Sequence, residues 1–266
     1  MSRGLVLRAA GLLQSYGEAG TFHHRDTTTF PTRSALIGMF AAAQGRTAEH
    51  ALDPYPELPG TPSHRDLALT IRVDCPGTPY RDWHTTGGGR PHRQGLHTSD
   101  GKYRTRNRST HISQRDYLTG AVFTIAVQGP APLLAHIATT LTTPRFSPYL
   151  GRRVCLPDEP LLIHTDIPDP ETALRDRVPL SLAHPPRPGQ THVPIDFWAE
   201  HPPHPGTPPD RETPSEPADF THTRRHHLLR PLWKTTEPLP TTLYAGPRPI
   251  DTLTDYILKD TPCRQP

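Results

Sequence analysis

The chain has 266 residues, enough for one large or two small domains with a real core, yet leucine, isoleucine, valine and phenylalanine make up only about a fifth of it. Proline and glycine together make up another fifth, high for a globular chain and short of a wholly irregular one, so the core must be local. The net charge is +3, and 26 of the 29 basic residues are arginines, whose planar fork suits phosphate and base recognition. No apolar run approaches the roughly 18 residues of a membrane span, and the first residues lack the pattern of a signal peptide. No membrane contact and a cytoplasmic location are expected. Three widely spaced cysteines, Cys75, Cys155 and Cys263, exclude a disulfide framework and any CxxC metal knuckle.

The first element in the chain is a strand over residues 4–10, where Leu5, Val6 and Leu7 are continuous enough to be buried on both faces. Residues 12–30 read as a long polar loop. Phe30-Pro31-Thr32 then opens a helix that Thr32 caps, Leu36, Ile37, Phe40 and Ala43 line, and Gly45 stops in the left-handed conformation. Strands follow at 67–73 and 121–127, a helix at 132–141 and a short strand at 161–164. The order strand, helix, strand, long insertion, strand, helix, strand is the split βαβ arrangement of ferredoxin-like and RRM-like folds, an α+β class.

The second half differs in kind. Between Leu182 and Leu228 no leucine occurs, while eleven prolines and seven histidines fall between His184 and His227. We expect an irregular, β-containing extension over 166–266 with an exposed insertion at about 185–217, a strand at 191–198 and another near 225–234. A short helix capped by Asp251 closes it.

Charge is concentrated in one segment. Residues 80–117 contain eight basic residues and three acidic ones, so this segment carries +5 and the remainder −2. Its glycine run cannot pack a core, and the alternation Lys102-Tyr103-Arg104-Thr105-Arg106 reads as an arm extending from the sheet, tracking a phosphate backbone with Tyr103 or Trp83 available for stacking. A plain solvated loop is the competing reading. The run Pro144-Arg145-Phe146-Ser147-Pro148-Tyr149-Leu150-Gly151-Arg152-Arg153 mixes aromatic, glycine and arginine residues as a close phosphate approach requires. Thr32, Arg33 and Ser34 lie at a helix N-terminus, whose free amides attract anions. Zinc-site spacings, a P-loop, GxGxxG and GxSxG are all missing, so no cofactor and no metal are expected. A metal-free ribonuclease would need only an acid and a base, which His84, His111 or Tyr80 could supply.

Four blocks, residues 7–17 (LRAAGLLQSYG), 30–38 (FPTRSALIG), 82–85 (DWHT) and 144–153, resemble in order and spacing the CasD family, the type I-E CRISPR Cascade subunit that holds the 5′ handle of the guide RNA. The resemblance covers residues 4 to about 165. It implies an RRM-like RAMP domain over 1–165, a β-hairpin thumb inserted at about 80–117, and a non-catalytic role. The implied partners are the crRNA handle, the backbone subunit, the large PAM-reading subunit and, through the complex, target DNA. Gln14, Ser15, Arg25, Thr32, Arg33 and Ser34 should then line one side of the handle site and Arg145, Arg152 and Arg153 the other. Arg104, Arg106 and Arg108 stand on the thumb, and His84 is the residue that would matter most if the chain cut RNA, as a relative in another subtype does. The chain has Tyr16 where the family has Trp and Leu12 where it usually has Pro, and the stretch 185–217 has no counterpart in the pattern.

Overall fold

The computed structural model describes residues 3–21, 23–87, 97, 100–103, 110–219 and 226–260. Strand β1 (Arg3–Ala10) is buried along nearly its whole length, as its unbroken apolar run requires. It pairs antiparallel with β7 (Val122–Gln128) on one side and β8 (Leu162–Pro168) on the other. β4 (Ala68–Cys75) pairs with the far edge of β7, giving the order β8-β1-β7-β4. Helix α1 (Arg33–Ala43) connects β1 to β4, and α2 (Ala131–Thr142) connects β7 to β8. Thr32 caps α1 by accepting a hydrogen bond from the Ala35 amide, and Gly45 follows its end at φ +78°.

Leu5, Leu7, Phe123, Ile125, Leu69 and Ile71 point to one side of this sheet and meet Leu36, Phe40, Leu133 and Ile137 of α1 and α2. On the other side Val6 and Ala126 pack with Leu174 of α3 (Pro170–Asp176), Val178, Leu180 and Leu253 of α4 (Pro249–Asp260). The sheet therefore has a core on each face, and its central strands bury apolar side chains on both sides. Helix α3 escaped the sequence reading. Asp169 caps it at φ +51°, accepting the Thr172 amide at 3.0 Å, and Pro170 sits in its first turn. In α4, Asp251 lies within the first turn and does not cap it.

The proline-rich half is more regular than its composition predicts. β9 (His192–Ala199) pairs with β4, β11 (His226–Pro240) with β9, and β10 (Arg211–Asp219) with β11, so one seven-stranded sheet runs β10-β11-β9-β4-β7-β1-β8. The expected strand at 191–198 is β9. The irregular insertion expected to reach residue 217 ends earlier, because 211–219 is a strand. Pro214 and Pro217 are accommodated there because β10 is the sheet's edge, where missing amide donors leave no partner unsatisfied. The missing leucines are replaced by Val193, Ile195 and Phe197, and Thr213 and Ser215 are buried in β10. Among the described residues no helix is long and apolar enough to cross a membrane.

Two buried polar clusters fix the layers. Arg72, fully buried in β4, donates to Asp74 (2.7 and 3.0 Å) and to the carbonyls of Val178 (2.9 Å) and Pro179 (2.8 Å), which holds the segment after α3 on the sheet. His64 is enclosed beneath the loop after α1, its Nδ1 2.8 Å from the Ala51 carbonyl and its ring edge-on to Tyr55. Burial lowers its pKa from 6.5 to about 4. The unfolded chain therefore binds a proton between those values that the fold cannot hold, and stability is lost as pH falls through that window and changes no further from this group below it. The full effect is roughly 3 kcal/mol. Urea unfolding measured from pH 7.5 to 4 is expected to show this loss, and His64→Gln to flatten it relative to the native chain.

Candidate nucleic-acid interface

β5 (Thr78–Gly87) and β6 (Thr110–Thr119) form an antiparallel hairpin with Thr78 opposite Thr119 and Gly87 opposite Thr110. On its other edge β6 takes two short strands from the loop after β1: β2 (Leu13–Gln14) antiparallel and β3 (His24–Arg25) parallel. Alternation of side chains along a strand then sorts this small sheet into two faces. The register puts Tyr80, Asp82 and His84 of β5 with Ser113, Arg115 and Tyr117 of β6 and Arg25 of β3. Arg81, Trp83, Thr85, Ile112, Gln114, Asp116 and His24 share the other.

Asp116 ties these segments together. Its carboxylate accepts from Arg81 Nε at 2.7 Å and lies 2.6 Å from His24 Nε2, and its carbonyl accepts the Ser15 hydroxyl at 2.8 Å. The Arg81 hydrogen bond, helped by His24 and opposed by partial burial, holds this carboxyl below the usual carboxylate range.

The loop following α2 closes over the same place. The Arg145 amide donates to the Ala43 carbonyl at 2.7 Å, and the Arg145 stem lies against Gly45. Further along, the Ser15 amide donates to Leu150 O (3.2 Å), the Leu150 amide to Cys155 O (2.7 Å) and the Cys155 amide to Arg152 O (2.8 Å). Gly151 sits at φ +84° with the Ser15 carbonyl 1.9 Å from where a Cβ would stand. No other residue fits there. The tight turn throws Arg152 across the Tyr117 ring, 4.8 Å from its centroid, with Nη2 donating to the carbonyls of Arg25 (2.9 Å) and Asp26 (3.2 Å). Its Nη1 is buried and has no hydrogen-bond partner among the described residues. Arg152 thereby joins Arg25, Arg115 and the exposed Tyr80 on one face, with Tyr117 buried beneath it, a combination that offers charge to phosphates and the Tyr80 ring to a base.

The family model described as CRISPR-associated protein (Cas_Cas5) matches residues 4–230. The chain belongs to the Cas5 family. It is 31% identical over 182 residues to the CRISPR system Cascade subunit CasD of Escherichia coli (strain K12), which covers 66% of this chain and 77% of that one. A chain of a solved CRISPR RNA-guided surveillance complex is 35% identical, with a TM-score of 0.84 over 96% of this chain and 99% of that one. A solved Cas protein at 24% identity, covering 91% and 97% of the two chains with a TM-score of 0.56, shares the fold. The resemblance carried by the four sequence blocks is thus upheld.

This Cas5 chain places the residues read from sequence in three settings. Arg25, Arg145 and Arg153 are exposed, and His84 lies half-exposed 3.5 Å from Asp82. Gln14 and Ser15 are buried and serve the fold: the Gln14 amide donates to Ala9 O (3.2 Å) and Ala121 O (2.7 Å), and its carbonyl accepts the Tyr16 hydroxyl (2.7 Å). Arg33 is buried too, held by Glu200 (2.8 Å) and Glu216 (2.6 Å) and by the carbonyls of His64, Arg65 and Leu67. Thr32 and Ser34, 3.2 Å apart at their hydroxyls, share that end of α1, whereas Arg145 meets the opposite end. The helix has 11 residues, about 16 Å of rise, so these groups do not converge. Arg104, Arg106 and Arg108 lie outside the described residues.

Sequence reading counted Arg115 only as part of the basic segment and missed Tyr117, His24 and the clasp at Asp116. The signal available was the alternation Ser113, Arg115, Tyr117, which a period-two reading of 110–119 exposes. No group of three or more potential metal ligands converges among the described residues. Gly151→Ala should destabilise the chain by more than about 1 kcal/mol, since it adds left-handed strain to a backbone collision. Urea unfolding together with faster proteolysis in the loop at 144–155 checks this.

Proposed function

We propose that this Cas5 chain is the non-catalytic subunit of a type I-E Cascade surveillance complex that holds the 5′ handle of the guide RNA and joins the backbone subunit to the large PAM-reading subunit. The observation that carries the reading is Arg152: a guanidinium laid over Tyr117 and fixed by the carbonyls of Arg25 and Asp26, which gathers Arg25, Arg115 and Tyr80 onto one face. The exposed Arg25 and Arg153 and the partly exposed Arg115 stand around it, open to phosphate oxygens. Arg104, Arg106 and Arg108 extend the same basic segment on the thumb. In this reading β1, β4 and β7 with α1, α2 and the start of β8 make up the RRM-like RAMP domain of residues 1–165, β5 and β6 carry the thumb, and 166–266 is an extension that completes and enlarges the sheet. Gln14, Ser15, Thr32, Arg33 and Ser34 then act by shaping the loop and helix beside the RNA. Sequence is read by guide pairing to target DNA, and the protein contacts shape and backbone. We place the complex in the cytoplasm.

One observation favours a second reading. His84 shares the cationic face and sits 3.5 Å from Asp82, the pairing that a metal-independent endoribonuclease would use to orient a base. Incubation with end-labelled repeat-spacer RNA separates the two: intact RNA retained through its handle fits the scaffold, and specific cleavage lost in His84→Ala fits the nuclease. For the scaffold, Arg152→Ala with Arg153→Ala is expected to weaken handle binding by about tenfold or more and to lower the slope of log affinity against log salt by about 1 to 2. Unchanged affinity at two salt concentrations would remove these arginines from the site.

A further inference from the structure

The loop between β1 and α1, which carries Arg25, is held from two sides. Asp26 folds it back on itself: its carboxylate accepts the amides of Glu18 (3.3 Å) and Ala19 (2.7 Å), and its carbonyl accepts Arg152 Nη2 (3.2 Å). Gly17, Ala19 and Gly20 are exposed, yet the Glu18 side chain between them is only 13% exposed, and Arg211 of β10 closes on its carboxylate. Arg211 stands 193 positions away in sequence, in the proline-rich half. The same half meets the far end of the loop, where Trp198 of β9 stacks on Phe30 with ring centroids 4.6 Å apart and Glu216 of β10 holds Arg33.

We infer that Arg211 is a positioning residue for guide-RNA binding: acting through Glu18 and Asp26, it fixes the loop that presents Arg25 without itself contacting the RNA. Without Arg211 a nearly buried carboxylate is left unpaired, and the loop must open to hydrate it. Opening withdraws the Glu18 and Ala19 amides from Asp26. The carbonyls of Arg25 and Asp26 are the same groups that fix Arg152 over Tyr117, so the disturbance reaches the centre of the cationic face. A carboxylate beside a polyanion is otherwise repulsive, and holding the loop is what Glu18 supplies in return. The inference rests on the proposed reading of the chain as an RNA-binding subunit, and it makes β10, outside the four sequence blocks, part of the RNA-binding machinery.

The test uses the full chain carrying Arg211→Ala, Glu18→Ala, or both. Two quantities are measured: affinity for handle RNA by fluorescence anisotropy at two salt concentrations, and amide hydrogen exchange of the free chain. Each single variant is expected to bind RNA about fivefold more weakly, the double variant no more weakly than either, and the slope of log affinity against log salt to stay unchanged. Glu18→Ala decides by sign, because removing a negative charge near a polyanion raises affinity unless that charge holds the loop. Exchange at the Glu18 or Ala19 amide should quicken in each single variant while β1 and β7 stay protected, and Arg211→Lys, which keeps the cation, should restore most of the affinity. Unchanged loop exchange would overturn the inference. So would a rise in affinity in Glu18→Ala beside a slope lowered by about 1 in Arg211→Ala, which makes Arg211 a direct phosphate ligand. Native binding that needs Arg152 and Arg153 but ignores Glu18 and Arg211 would overturn the inference and leave the RNA reading intact, whereas no handle binding by the native chain would overturn both.

Discussion

The geometry of the candidate site depends on the register of one strand. β6 is held between β5 and the two short strands of the preceding loop, and Asp116 fixes it by joining Arg81 of β5, His24 of β3 and the Ser15 hydroxyl at one residue. A slip of one position would turn β6 over, carrying Arg115 and Tyr117 to the face that now holds Trp83. The clasp is partly exposed and each contact is modest taken singly. Its importance is that it selects a register, a result that the ten-residue hairpin alone does not guarantee.

A second set of ionic contacts brings the two halves of the chain into one sheet. Arg33 at the start of α1 meets Glu200 beyond the end of β9 and Glu216 of β10, and Arg230 of β11 closes on both glutamates. Buried charge of this kind adds little net stability relative to a well-packed apolar cluster, and breaking it is costly because a charge is left unpaired. It therefore acts as a specification of which strands lie beside α1. This explains how a segment with no leucine over more than forty residues is still held to the core.

Much of this was legible in the amino-acid order. The continuous run Leu5-Val6-Leu7 gave a strand buried on both faces, and Thr32 and Gly45 marked the ends of α1, because each is a local preference that tertiary packing reinforces. Composition misled in the second half: prolines at 214 and 217 argue against a strand until the topology places that strand at an edge. Arg33 is the sharper lesson. An arginine at a helix N-terminus reads as an anion ligand, and only the fold reveals that two glutamates, 167 and 183 positions away, already hold it. The Arg152 site was visible as a glycine and arginine-rich run, but its partner Tyr117 was not, since a guanidinium over a ring is a contact between distant segments.

The most direct test is a structure of the chain assembled with its guide RNA and neighbouring subunits, resolved well enough to place phosphates around the hairpin. Handle phosphate oxygens are expected within hydrogen-bond distance of Arg25, Arg115 or Arg153, with RNA following the face that carries Arg25, Arg115 and Tyr80. A handle lying elsewhere, with no phosphate near Arg25, Arg115 or Arg153, would contradict this reading.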